Sequence, residues 1–256
     1  MKISIITPVY NDTRVAGALD SILSQELDAE LELIVIDGGS KDGTLEALER
    51  YRDGGRLAVL VSEPDQGMYD AMNKGIALAT GDLVGILNAD DRYADTAVLH
   101  DVLTVFENPR IEACYGDLVY VDAQGRVVRY WRSGGCSLWK FHLGWAPPHP
   151  TFFVCRNVYE RFGVFDMERF HIAADYELML RLLRKHKIPV AYVDRVLVRM
   201  TLGGISNRSV RNIVKMNREV YHAWLRNSLP LGYLAPVLKP AQKLFQYVQR
   251  PPKEIG

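Results

Sequence analysis

Short, β-branched apolar runs separated by helical periodicities dominate the first part of the chain. Residues 3–6, Ile-Ser-Ile-Ile, form such a run and end at Thr7-Pro8. Apolarity that barely alternates predicts a strand buried on both faces, as in parallel sheets. Val15, Leu19, Ile22 and Leu23 then follow at helical spacing within 13–26. Residues 31–36 read as a second buried strand, cut off by Asp37-Gly38-Gly39. Ser40 or Asp42 can cap the next helix, which carries Leu45, Leu48 and Tyr51. Residues 57–61 predict a third strand, 68–80 a third helix and 83–87 a fourth strand.

Strands alternating with helices at this interval predict βαβ units, hence an α/β fold with a mostly parallel central sheet and helices on both faces. Right-handed crossovers place the C-terminal ends of the parallel strands on one edge, where such sheets bind ligands. The polar clusters 7–11, 37–44, 63–66 and 88–91 all fall at that edge. Four clusters are therefore expected to line one cleft.

The second half is less regular. Residues 113–121 predict a strand that turns at Asp122-Ala123-Gln124-Gly125, with 126–131 as its hairpin partner. Residues 137–163 are rich in aromatics, Pro and Gly. A helix is expected over 174–186 and a strand over 190–198. The Gly203-Gly204 step marks the start of a different segment.

Charge changes the picture there. The chain of 256 residues has 31 basic and 31 acidic residues. From residue 203 onward, however, nine basic residues stand against Glu219 and Glu254, a net +7 that leaves residues 1–202 at −7. The zero overall balance carries no nucleic-acid signature. The tail, where Leu231, Leu234, Val237, Leu238, Leu244, Phe245 and Val248 mix with Lys239, Lys243 and Arg250, suits an anionic membrane surface or plain helical packing equally. Pro236 and Pro240 argue against one long helix. Three sparse cysteines, Cys114, Cys136 and Cys155, suggest a reducing compartment rather than a disulfide framework. No apolar run approaches bilayer length and Met1-Lys2 runs straight into the first strand, so a cytoplasmic location is expected.

The sharpest chemical signal is Leu87-Asn88-Ala89-Asp90-Asp91. Adjacent carboxylates at the end of a buried strand repel each other unless something positive lies there. Mg²⁺ or Mn²⁺ prefers oxygen donors and tolerates substrate phosphates as ligands. A solvated turn with a cap at Asp91 or Asp95 explains the same residues without a metal. The glycine-rich segment 37–44 lets backbone approach a ligand, and Asp37 could accept from a base or ribose; alone, it is also an ordinary βα turn. Tyr10 could face a nucleobase. On the helix opening after Asp65 and Gly67, Tyr69 and Asn73 share one face and Asp70 and Lys74 another. Asp175 reads as a helix cap or as a general base. His149, in a Pro- and Phe-rich stretch, reads first as packed and second as an acceptor contact or metal ligand.

Together, Ile3-Ser4-Ile5-Ile6-Thr7-Pro8-Val9-Tyr10-Asn11, Val35 to Thr44, Ser62-Glu63-Pro64-Asp65-Gln66-Gly67, Asn73-Lys74-Gly75, Gly81-Asp82, Leu87-Asn88-Ala89-Asp90-Asp91 and Ala174-Asp175-Tyr176-Glu177-Leu178 resemble the inverting glycosyltransferases of family 2, with a bacterial polysaccharide-type pattern. The resemblance covers about residues 1–200 and rests on the order and intervals of several motifs rather than on any single one. It implies a GT-A-type fold over 1–202, with a nucleotide-binding half (1–91), an acceptor-binding half (92–202) and a basic, helical C-terminal extension (203–256). It implies that Thr7, Pro8, Tyr10 and Asp37 hold the nucleoside, that Asp65 lies near the base or ribose, and that Lys74 lies near the donor. Asn88-Ala89-Asp90 occupies the place of the family's Asp-any-Asp motif, with Asn for the first Asp, so the Mg²⁺ or Mn²⁺ ligands would be Asp90 and Asp91. Asp175 would be the catalytic base. The implied donor is a nucleotide-diphosphate sugar and the implied acceptor a saccharide or lipid-linked hydroxyl, with room for peripheral contact at the inner membrane surface. Two other readings stay open: a nucleotidyltransferase, which would usually carry a long Gly- and Arg-rich loop where Thr7-Pro8-Val9-Tyr10 stands, and a catalytically silent sugar- or nucleotide-binding module.

Overall fold

A computed structural model of the chain describes residues 1–137, 139–202 and 210–230, together with Gly232 and Ala235. The first four strands are β1 (Lys2–Val9), β2 (Glu30–Asp37), β3 (Val59–Ser62) and β4 (Leu83–Ile86). Between them run α1 (Val15–Leu23), α2 (Thr44–Asp53) and α3 (Met68–Leu78). The strands pair in parallel in the order β3-β2-β1-β4, as the apolar runs predict. Pro8, which cannot donate to a ladder, lies beyond Ile6–Ile86, where the register between β1 and β4 ends.

Side-chain alternation sorts these strands onto two cores. Ile3, Ile5, Leu33 and Val35 face one side with Val15, Leu19 and Ile22 of α1 and Leu48 of α2. Ile6, Ile34, Ile36, Val84 and Ile86 face the other, with Met72 and Ile76 of α3. Gly75 of α3 lets that helix approach β1 closely, because a Cβ there would lie 2.3 Å from Ile6 Cγ2. Helices thus cover both faces of the sheet.

The second half completes a nine-stranded sheet of order β3-β2-β1-β4-β8-β6-β9-β5, with β7 on β6. Its strands are β5 (Arg92–Tyr93), β6 (Ala113–Val121), β7 (Val127–Trp131), β8 (Phe153–Cys155) and β9 (Val190–Thr201). Here β6 and β9 are parallel, whereas β5, β7 and β8 run opposite to their neighbours. The 113–131 hairpin forms as expected. Its turn is closed by Asp122, whose Oδ1 accepts from Gln124 N and Arg126 N at 2.9 Å each.

Further helices are α4 (Val98–Val105), α5 (Arg156–Phe162), α6 (Ala174–Met179) and α7 (Val210–Arg226). The single helix expected over 174–186 divides: α6 passes at Leu180 into a π-helical turn ending at Lys185. Arg181 in that turn bonds Glu177 and the carbonyls of Phe162, Gly163 and Val164. Met216, Val220, Ala223 and Trp224 of α7 share an apolar cluster with Tyr176, Leu178 and Met179 of α6. Gly203-Gly204 and nearly all of the apolar-basic stretch 231–248 lie outside the described residues. Among the described residues, no helix is long and apolar enough to cross a membrane.

Candidate active site

Four loops at the C-terminal ends of β1 to β4 meet, as the polar clusters predict. Asn11, at φ 46°, donates its N–H to Ser40 Oγ (2.8 Å) and accepts from Lys41 N at Oδ1 (2.8 Å), joining the first loop to the second. Gly38 joins the second to the third: a Cβ there would lie 2.6 Å from Asp65 Oδ2. Arg14 joins the first to the fourth, with its guanidinium 2.5 Å from Asp12 and 3.5 Å from Asp90.

The residues expected to hold a nucleoside occupy this edge in different states. Tyr10 is 62% exposed, an open aromatic face at the rim. Thr7 and Pro8 are buried, and Thr7 Oγ1 has no hydrogen-bond partner among the described residues. Asp37 is fully buried, its carboxylate accepting from Ser40 N, Ser40 Oγ and Ser62 Oγ, which ties the loop around it together. Asp65 is half-buried and accepts from Gly67 N at 2.8 Å, opening α3. Lys74 is paired with Glu63 (2.7 Å) and Asp70 (3.4 Å).

The end of β4 turns through Asn88 to Asp91, closed by Asp91 N donating to Asn88 O at 3.1 Å. The turn separates two carboxylates adjacent in sequence. Asp90 keeps 26% of its side chain exposed beside Arg14. Burial raises its pKa, an effect that Arg14 opposes. Asp91 is fully buried; Asn88 Nδ2 donates to its Oδ2 at 2.9 Å, while Asp91 Oδ1 and Asn88 Oδ1 have no hydrogen-bond partner among the described residues. Burial, and then the neighbouring Asp90 charge, push the Asp91 carboxyl up to about 8.

That shift has a direction in stability. Without a cation, the folded protein keeps a proton on Asp91 that the unfolded chain releases near the usual 3.8. The folded state therefore loses stability as pH rises through the window from 3.8 to about 8. Asp91→Asn removes the titration, so in EDTA the variant is expected to melt several degrees above the parent at about pH 8.5 and level with it near pH 4. Differential scanning fluorimetry at the two pH values checks this; equal melting at both would refute the buried charge.

Among the described residues, no three His, Cys, Asp or Glu side chains are grouped to hold a metal. What β4 offers is narrower: oxygen donors only, two of them buried and unpaired, beside a partly open carboxylate. This set has the chemistry that a hard divalent cation completing its shell with waters and phosphates would need, with Asp90 the accessible carboxylate and Asp91 the buried one.

Asp175 lies in the first turn of α6, whose N-cap is Ala173; the capping role open to Asp175 in the sequence is thus not the one it takes. Tyr69 reaches it from α3: its buried hydroxyl is 3.1 Å from both Asp175 Oδ1 and Ile172 O. Neither Tyr69 nor Arg14 carries a motif that assigns it these contacts. On the same helix Asn73 fixes Phe165, donating to its O and accepting from its N at 3.0 Å each. His149 packs against the Phe165 ring at 5.5 Å. Burial lowers its pKa, which the Asp175 charge opposes. A cavity of about 280 Å³ opens beside this group, lined in part by Gly67, Tyr69, Met167, Phe170 and Ile172.

The family model described as Glycosyl transferase family 2 matches residues 4–191. A PGL/p-HBAD biosynthesis glycosyltransferase of Mycobacterium bovis is 31% identical over 215 residues, covering 81% of this chain and 80% of its own. A further glycosyltransferase, of Mycobacterium tuberculosis, is 35% identical over 188 residues, covering 70% and 68%. Among solved structures, S. aureus TarS in complex with UDP-GlcNAc superposes with a TM-score of 0.69 at 19% identity, over 96% of this chain and 72% of that one. A mannosyltransferase of Pyrobaculum calidifontis, in complex with GDP-Man and Mn²⁺, does so with a TM-score of 0.65 at 19% identity, over 96% and 72%. Against a longer TarS chain the protein spans 45% of the length. These structural likenesses establish a shared GT-A-type fold.

Proposed function

The chain belongs to glycosyl transferase family 2, and from that premise we propose that it is an inverting enzyme that moves a sugar from a nucleoside-diphosphate donor to the hydroxyl of a saccharide or lipid-linked acceptor in the synthesis of surface glycans. Residues 1–91 bind the nucleotide, 92–202 the acceptor, and 203–256 form a C-terminal extension. Tyr10 faces the base; Thr7, Pro8 and the loop that Asp37 orders through Ser40 enclose the nucleoside; Asp65 lies at the base or ribose. Lys74 serves the donor side, and Asn88 with Asp90 meets the diphosphate.

Asp90 and Asp91 would hold Mg²⁺ or Mn²⁺, which would supply positive charge for the nucleoside diphosphate that leaves. Asp175 accepts the proton of the acceptor hydroxyl as that oxygen forms its bond to the anomeric carbon. Tyr69 fixes the carboxylate by donating to Oδ1, which leaves Oδ2 to take the proton. A single displacement of this kind inverts the anomeric centre.

The observation that carries the reading is the pair of buried oxygens, Asn88 Oδ1 and Asp91 Oδ1, without a hydrogen-bond partner among the described residues, at the strand end where the four loops meet. Such groups cost stability unless a ligand or cation meets them. The glycosyltransferase activity of the mycobacterial relative, and the UDP-GlcNAc and the GDP-Man with Mn²⁺ in the two related structures, support the same chemistry. The basic charge of the extension's sequence suits a cytoplasmic protein in peripheral contact with an anionic membrane surface.

Thermal shift with UDP, GDP and dTDP, each with and without Mn²⁺, tests the donor site. One nucleotide is expected to raise Tm strongly with the cation and weakly without it, the stabilisation reaching about 2.7 kcal/mol at a hundredfold excess over Kd. No shift with any of the three would refute the reading.

A further inference from the structure

Helix α7 lies beyond the family match at residues 4–191, yet it holds the chain on both sides of Asp175. Ahead of Asp175, Glu219 Oε2 accepts three successive backbone N–H groups: His171 (3.0 Å), Ile172 (2.8 Å) and Ala173 (2.9 Å). After it, Trp224 Nε1 donates to Tyr176 Oη and Asn227 Nδ2 to Glu177 Oε1, both at 2.9 Å. Glu219, Trp224 and Asn227 are all buried.

A plain packing contact would not need a carboxylate at 219. Its other oxygen, Oε1, has no hydrogen-bond partner among the described residues, and Lys215 Nζ stands 3.9 Å away. Keeping such a group in the interior costs stability. What it achieves is to fix the backbone at 171–173. That backbone includes Ile172 O, which shares the Tyr69 hydroxyl with Asp175 Oδ1. Glu219, Ile172, Tyr69 and Asp175 therefore form one connected chain of hydrogen bonds. A base must lie within hydrogen-bond reach of the proton it removes.

We propose that Glu219 is a positioning residue: through the three N–H groups ahead of α6 it sets where the Asp175 carboxylate stands relative to the acceptor hydroxyl. This rests on Asp175 being the base. It makes α7 part of the catalytic apparatus, although that helix carries none of the family motifs.

The test is a double-mutant cycle in the full chain with Glu219→Ala, Asp175→Asn and the pair, and with Glu219→Gln as the conservative variant. The readouts are kcat, donor KM and nucleotide-induced thermal shift. Glu219→Ala is expected to lower kcat by about tenfold to a hundredfold, the scale of a misplacement near 1 Å, with donor KM and nucleotide shift unchanged. Glu219→Gln keeps an acceptor oxygen at the same reach and is expected to recover most of the loss. In the Asp175→Asn background Glu219→Ala is expected to add nothing, since both act on one step. An unchanged kcat in Glu219→Ala, or the same penalty in both backgrounds, overturns the proposal; if Glu219→Ala does not fold, Glu219→Asp, whose shorter side chain cannot reach the three N–H groups, replaces it in the cycle under the same criteria. The base reading fails separately, when Asp175→Asn alone leaves kcat intact.

Discussion

Replacing Asp175 by asparagine is expected to lower transfer by about 10²- to 10⁴-fold, the usual contribution of a positioned general base, while leaving donor affinity unchanged. The split follows from where the residue stands. Asp175 is on α6, tied to α3 through Tyr69, whereas the loops proposed for the nucleoside and diphosphate end β1 to β4. Asparagine keeps the size of the side chain and an oxygen that accepts from Tyr69, so the local packing survives. What it lacks is an oxygen that can take a proton at neutral pH. Steady-state transfer assays alongside nucleotide titration separate the two quantities. Near-parental transfer would remove Asp175 from the mechanism, and a parallel loss of nucleotide binding would place it in the donor site instead.

How far the sequence foretells this site depends on whether the deciding contact is local. Strands β1, β2 and β4 are buried on both faces, and their β-branched runs announce them. Strands β5 and β8, of two and three residues, are too short to carry a period; pairing with β9, β4 and β6 defines them. The acidic pair after β4 is visible as composition. Which carboxylate turns inward is not, because a two-residue repeat cannot encode the turn closed by Asp91 N and Asn88 O. Asp37 reads as a loop carboxylate available to ligand. Its burial depends on Ser62, which β3 brings alongside at the register of Asp37. Glu219 looks like an ordinary charge on an amphipathic helix. Only the tertiary packing of α7 on α6 turns it toward residues 171–173.

Asp90→Ala is expected to abolish the cation-dependent part of nucleotide stabilisation and to lower transfer by about three orders of magnitude, as ~4 kcal/mol of transition-state stabilisation implies. Asp90 rather than Asp91 is the decisive position because only Asp90 combines a carboxylate with access to the cleft. Arg14, 3.5 Å from Asp90 and bonded to Asp12, supplies positive charge at that spot without a cation. Removing Asp90 therefore leaves a guanidinium that still attracts diphosphate, so nucleotide binding without Mn²⁺ is expected to persist at the parental level while its response to Mn²⁺ disappears. Thermal shift across a Mn²⁺ titration, run on parent and variant with the same nucleotide, reads this directly. The two curves should meet at zero Mn²⁺ and diverge as it rises. A variant whose curve still climbs with Mn²⁺ would move the cation elsewhere and leave the unpaired oxygens of Asn88 and Asp91 without an explanation.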